Sequence, residues 1–135
     1  MLHVIVTYST GVFEQTVAKL TTAIEQRGLT LFADIDHAAG AQAAGLELEP
    51  ERVLVFGNPR SGTGLMQSDR RVGIELPLRL LVWQEGEQVL LGYEDPSTLA
   101  ERYALDGQAQ TLAQMATLPA ALVHEAATPP GARGD

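Results

Sequence analysis

Cysteine is absent from the 135-residue chain. That removes disulfides, thiolate zinc sites, iron–sulfur clusters and a catalytic thiol together, and it accords with a cytoplasmic protein. Basic residues are scarce: 9 against 17 acidic side chains give a formal charge of −8, and Arg70-Arg71 is the one adjacent basic pair. So acidic a chain repels phosphate backbones, and no nucleic-acid partner is expected. Long apolar runs are missing as well. Stretches such as Leu80–Trp83 fall far short of the ~20 residues that cross a bilayer, so no membrane partner is expected. Met1 leads straight into Leu2-His3-Val4-Ile5-Val6 without a basic segment or a small-residue cleavage site, which argues against a signal peptide. His3, His37 and His124 are scattered, and neither a metal nor a cofactor is expected.

What remains is ordinary globular material, 45% hydrophobic and 19% charged. The length suits one domain that buries roughly two-thirds of its unfolded surface. We set that domain at residues 1–126 and read 127–135, rich in proline and glycine, as a disordered tail.

Leu2–Tyr8 has the Val/Ile content of a strand. Phe13, Val17, Leu20 and Ile24 then recur at helical spacing, with Gly11 as the expected cap and Gly28 as the stop. Leu29–Asp36 alternates like a strand. A short alanine-rich helix, Ala38–Ala44, follows from Asp36 or His37 and stops at Gly45. Arg52–Phe56 is apolar after its arginine, as a central strand covered on both faces would be. A glycine-rich turn, Gly57–Gly64, precedes a short helix near Leu65–Arg70.

Leu78–Glu85 and Gln88–Glu94 form a hairpin about Gly86-Glu87. Its register sets Trp83 against Leu90, Leu81 against Gly92 and Arg79 against Glu94. Asp95-Pro96 opens a helix that runs to Gly107. A last helix carries Ala109, Leu112 and Met115 until Pro119 ends or kinks it. The hairpin excludes an all-parallel doubly wound sheet, so the fold class is α+β: a mainly antiparallel sheet with helices packed against it in a single compact domain.

Three segments could carry chemistry. Val53–Phe56 followed by Gly57-Asn58-Pro59-Arg60-Ser61-Gly62-Thr63-Gly64 has the strand, turn and helix of a phosphate loop. Thr63 stands where that motif needs lysine, which excludes nucleotide hydrolysis but leaves an anion or small ligand held by backbone N–H groups. The plain alternative is a tight turn in which Thr63 caps the next helix. Asp34-Ile35-Asp36-His37 places two carboxylates beside an imidazole. Against that chemistry stands the reading of Asp36 as a helix cap and Asp34 as a solvated side chain. Glu75, between Ile74 and Leu76, is either turned inward with a raised pKa or paired with an arginine such as Arg79.

Taken together, Asp36-His37, Ala44-Gly45-Leu46, Phe56-Gly57-Asn58-Pro59, Gly62-Thr63, Leu65-Met66, Glu75-Leu76-Pro77-Leu78, Tyr93 and Pro96 resemble the bacterial and archaeal domain of unknown function 302 family, over nearly the whole chain to about residue 125. The resemblance implies a compact α+β domain that forms a homodimer, and it implies no activity. The family more often has Asp where this chain has Glu75, a change that moves the carboxylate by one methylene.

The residues support a non-enzymatic domain that binds a small molecule or anion through Asn58, Arg60, Thr63 and Gly64, as a homo-oligomer, with His37 and Glu75 at the rim. The alternatives are a metal-independent acid/base enzyme built on Asp36, His37 and Glu75, which requires the three to converge, and a protein-interaction module without a pocket.

Overall fold

A computed structural model describes residues 4–127. Five strands form one antiparallel sheet: β1 (Val4–Ser9), β2 (Thr30–Asp36), β3 (Glu51–Gly57), β4 (Leu78–Glu85) and β5 (Gln88–Glu94), in the spatial order β1-β5-β4-β3-β2. Four α-helices join them: α1 (Phe13–Gln26), α2 (His37–Ala43), α3 (Pro59–Ser68) and α4 (Ala109–Ala127). Two 3₁₀ segments, Arg70–Glu75 and Pro96–Glu101, precede β4 and follow β5. The α+β class expected from the hairpin is the one found.

Local chemistry accounts for most of these elements. The α1 stripe buries Phe13, Val17, Leu20 and Ile24, and Gly28 follows at φ +70°, where a side chain would be strained. The cap differs from expectation. Val12 occupies it without a side-chain bond, while the Gly11 N–H donates to Ser9 Oγ. Asp36 caps α2 by accepting from the Ala39 N–H at 2.8 Å. The hairpin register appears as read, with Trp83 against Leu90 and Leu81 against Gly92. The β4–β5 ladder ends there, short of Arg79 and Glu94, and Glu94 lies 3.8 Å from Arg102 instead.

α1 and α4 lie on the same side of the sheet. Leu20, Ile24 and Leu122 pack there on Leu54, Phe56, Leu80, Val82 and Leu91, each of them 0% exposed. A second cluster, centred on Leu65, Val72, Leu99 and Leu112, fills the space between α3, the 3₁₀ segments and the start of α4. Leu78 packs against both clusters.

Tertiary packing overrides the sequence reading in four places. The glycine-rich stretch is itself helix: Asn58 caps α3 and Pro59 sits in its first turn, so the helix begins ahead of Leu65. The segment after Asp95 is a short 3₁₀ helix, and the chain leaves it at Arg102, whose side chain turns to Glu75. Pro119 does not end α4, because the helix is held on the core at Met115 before it and at Leu122 and Val123 after it. β3 is covered on one face alone: Leu54 and Phe56 are buried, while Val53 and Val55 on the other face are half-buried. α4 also includes Ala127, which is buried at its end. The tail reading for 128–135 and the candidate strand residues 2–3 lie outside the described residues.

Leu54 carries the inner face of β3, where the sheet meets α1 and α4. Leu54→Ala is expected to cost about 2–5 kcal/mol, read as a lower midpoint at unchanged slope in urea denaturation.

Candidate functional site

The end of β3 leads directly into the candidate site. The Asn58 side chain accepts from the Arg60 N–H at 3.0 Å, and Pro59 supplies a preset φ, so α3 starts one residue past the strand. At the far end of α3, Asp69 is 8% exposed and fully engaged. It accepts from the Arg71 N–H and Nε at 3.0 Å, from Arg71 Nη2 at 2.8 Å and from the Ala104 N–H at 2.9 Å. The Arg71 side chain first, and then the Ala104 N–H, hold the Asp69 carboxyl far below the usual carboxylate range. Asp69 thus ties α3 and the following 3₁₀ segment to the loop before α4.

Between these ends α3 borders a pocket of about 280 Å³. Its wall is mostly apolar, with Phe32, Met66, Leu76, Met115 and Leu118, and the polar groups on it are those of Asn58, Ser61 and Thr63. The size falls just under the usual range for small-molecule sites, roughly 300–1,000 Å³. Glycines keep it open. Gly62 lines the pocket, and a Cβ there would meet Leu76 Cδ1 at 3.7 Å, an ordinary contact pointing into the space.

Of the four residues read as ligand-binding, Asn58 and Thr63 line this pocket, while Arg60 and Gly64 do not. The phosphate-loop geometry is absent for a physical reason. The Gly62 N–H donates to the Asn58 carbonyl at 3.2 Å, and Thr63 and Gly64 lie inside α3, where N–H groups serve the helix ladder. Thr63 is accordingly not a cap. What the turn offers is a concave apolar wall and not a cradle of free donors.

Glu75 lies on the other side of the Gly73–Leu78 segment, in a separate slot of about 160 Å³ opened where β4 and β5 part beyond Leu81 and Gly92. Its Oε2 accepts from the Tyr103 hydroxyl and from Arg102 Nη1, both at 2.7 Å, and the Arg102 guanidinium sits 5.5 Å over the Tyr103 ring. The Tyr103 hydrogen bond, with Arg102 and more distantly Arg79, lowers the Glu75 pKa against the opposing effect of burial. The same bond raises that of Tyr103. The raised pKa considered for Glu75 is therefore corrected: the residue is an ionised acceptor held by Tyr103 and Arg102, and the arginine that bonds it is Arg102, not Arg79. Arg102 and Tyr103 escaped the sequence reading because they stand 27 and 28 residues away from Glu75.

Asp36 and His37 are elsewhere. Asp36 pairs with Arg52 at the start of β3, whereas Leu78, three residues after Glu75, pairs with Phe56 near its end. Four residue steps along the strand at ~3.3 Å each separate the two positions by about 13 Å, before the width of the intervening strand is added. The convergence that an acid/base site on Asp36, His37 and Glu75 requires is not present, and His37 is not at the pocket rim. Asp34 is not simply solvated either, since Arg52 clamps it with Nε at 3.0 Å and Nη2 at 2.7 Å. Among the described residues no group of three or more His, Asp or Glu side chains comes together as metal ligands would.

A family model for "Domain of unknown function DUF302" matches residues 4–122. The chain belongs to this family. A crystal structure of an uncharacterized conserved DUF302 protein from Bacillus stearothermophilus superposes with a TM-score of 0.83 over 93% of this chain and 99% of that one. At 20% identity it supports the fold of this DUF302 domain alone. Curated relatives include "Fluoride-specific ion channel FluC 1" of Brucella suis biovar 1 (strain 1330), 41% identical over 92 residues, which is 67% of this chain and 36% of that protein. "Fluoride-specific ion channel FluC 2" of Brucella melitensis biotype 1 matches with the same identity over 34% of its length. The chain spans about a third of the length of these relatives.

Because the folded Asp69 titrates far below an unfolded aspartate, its stabilisation is complete above about pH 4 to 5 and is lost as pH falls from there towards the folded value. Acid titration of unfolding is expected to show wild-type stability dropping below about pH 4. Asp69→Asn should be less stable at neutral pH, with a shallower dependence through that window.

Proposed function

We propose that this DUF302 domain is a non-catalytic binding module that takes a small, uncharged and mainly apolar molecule in the pocket beside α3. The observation that carries the reading is the make-up of the pocket wall, in which no carboxylate, imidazole, amine or guanidinium stands. Acid/base or nucleophilic catalysis needs a titratable group within reach of the reacting atom. An anion needs a cation or several convergent free N–H groups. The Asn58 amide and the Ser61 and Thr63 hydroxyls can orient a carbonyl or hydroxyl on a ligand whose bulk lies against Met66, Leu76 and Leu118.

The Brucella relatives fit a module of this kind. A helical channel requires helices that cross the membrane, and no described helix of this chain is long and apolar enough to do so. In this reading the shared 92 residues form a binding domain apart from the ion-conducting part of those larger proteins, and fluoride itself is not the pocket's ligand.

Thermal unfolding tests the proposal with a panel of small neutral amides, esters and alcohols set beside phosphate and fluoride. A bound molecule at a hundred times its dissociation constant adds about 2.7 kcal/mol, a shift of several degrees for a domain of this size. Neutral apolar members are expected to give the shift, and Gly62→Leu, which fills the pocket from within α3, to abolish it while the protein stays folded. Shifts given by phosphate or fluoride alone, and kept by Gly62→Leu, would overturn the reading.

A further inference from the structure

The slot where β4 and β5 part holds polar groups that the fold leaves unused. The Gln84 N–H donates to the Pro50 carbonyl at 3.0 Å, so the backbone of Gln84 faces the β3 side. Alternation then turns the backbones of Trp83, Leu81 and Arg79 towards β5. In this register Arg79 and Glu94 would form the next rung to exchange both backbone bonds, and the ladder stops one rung short of it, at Leu81 and Gly92. On their far sides both strands stay paired at that level, Arg79 with Val55 and Glu94 with Val4. The parting is thus confined between two held strands, and the N–H and C=O groups of the missing rung are turned into it.

The side chains repeat the pattern. Arg79 and Glu94 line the slot from its two lips. The Arg79 guanidinium makes no hydrogen bond or ion pair among the described residues, although its charge reaches Glu75. The Glu94 side chain is 46% exposed and stands 3.8 Å from Arg102 Nη2. The other acids on the wall are already engaged. Glu75 is bonded to Tyr103 and Arg102, and Asp95 accepts from the N–H and the hydroxyl of Ser97, both at 2.9 Å. Much of the remaining wall is apolar, with Val4, Leu81, Leu99 and Pro119.

The geometry points to a second binding site here, for a small zwitterion: an amino acid with a short apolar side chain. Its carboxylate takes the Arg79 guanidinium, its ammonium takes the Glu94 carboxylate within the field of Glu75, and its carbon skeleton lies against Leu81 and Leu99. The N–H groups of the open rung add donors for the carboxylate, and the carbonyls add acceptors for the ammonium. Both charges on the ligand are required. A lone cation meets the Arg79 guanidinium, and a lone anion meets Glu94, Glu75 and Asp95. A neutral molecule leaves Arg79 and Glu94 as they were. Size points the same way, since the slot holds about 160 Å³ against roughly 300 Å³ at the lower end of small-molecule sites. The Gly73–Leu78 segment stands between this slot and the pocket beside α3, so the two sites take their ligands independently.

Nuclear magnetic resonance titration of the backbone amides reads the slot directly. Alanine, valine and leucine are the probes, and isobutylamine and isovalerate, which each keep one charged end of valine, are the controls. Valine is expected to shift the Arg79, Gly92 and Glu94 amides saturably at millimolar concentration, with each single-ended control weaker by about tenfold or more. Arg79→Gln and Glu94→Gln, both at exposed positions, should each weaken valine about tenfold, as loss of one charged hydrogen bond does, at an unchanged unfolding midpoint. Gly62→Leu should leave valine binding intact, which keeps this result apart from that of the pocket beside α3. The inference is overturned by no saturable shift with any of the three amino acids, by a single-ended control that binds as well as valine, or by shifts that both glutamine substitutions leave unchanged.

Discussion

The domain depends on a helix layer pressed against one side of an antiparallel sheet. Leu20 and Ile24 of α1 and Leu122 of α4 meet Leu54, Phe56, Leu80 and Leu91 with nothing left exposed. Transfer of those side chains from water, at ~25 cal/mol per Å², outweighs the local preferences that oppose it. Pro119 is carried inside α4 because Met115 before it and Leu122 and Val123 after it are buried, and the glycines of α3 precede the buried Leu65 that holds that helix. One-sided covering also leaves apolar side chains on the other side, Val6 and Tyr8 among them, exposed.

The pocket arises where the main core and the smaller cluster under α3 do not quite merge. Leu78 touches both, and Met66, Leu76 and Leu118 stand around the gap. Side-chain packing rarely leaves such space unless glycine or a turn prevents filling, and Gly62 and Gly73 both line it. On its two flanks the charges are held in place. Asp69 is saturated by Arg71 and Ala104, and Glu75 by Tyr103 and Arg102. These carboxylates brace the frame around a space whose wall carries no charged side chain.

How much of this was legible in the chain depends on the range of each interaction. The α1 stripe, the Asp36 cap, the Gly28 and Gly45 stops and the Trp83–Leu90 register all follow from contacts a few residues apart or from a two-residue turn. Asn58 and Thr63 stood out in the sequence, but the apolar pocket they line did not. The same Gly-Asn-Pro-Arg-Ser-Gly string is compatible with a phosphate cradle or with a capped helix, and the choice rests on whether Leu65 is buried. Nothing near Glu75 in sequence announces Arg102 or Tyr103, since an ion pair leaves no periodicity to read.

By itself the sequence determined the periodicities, and through them the α+β class, the strands and most helix ends, because backbone hydrogen bonding and side-chain alternation are local. Family membership was legible too, through short motifs that keep their spacing. Tertiary structure alone decided that Asp36 and Glu75 sit at opposite ends of β3, that the glycine-rich turn winds into helix beside an apolar pocket, and that one sheet face stays open. Those outcomes depend on how residues far apart along the chain share limited buried volume, a sum over the whole fold that no single segment encodes.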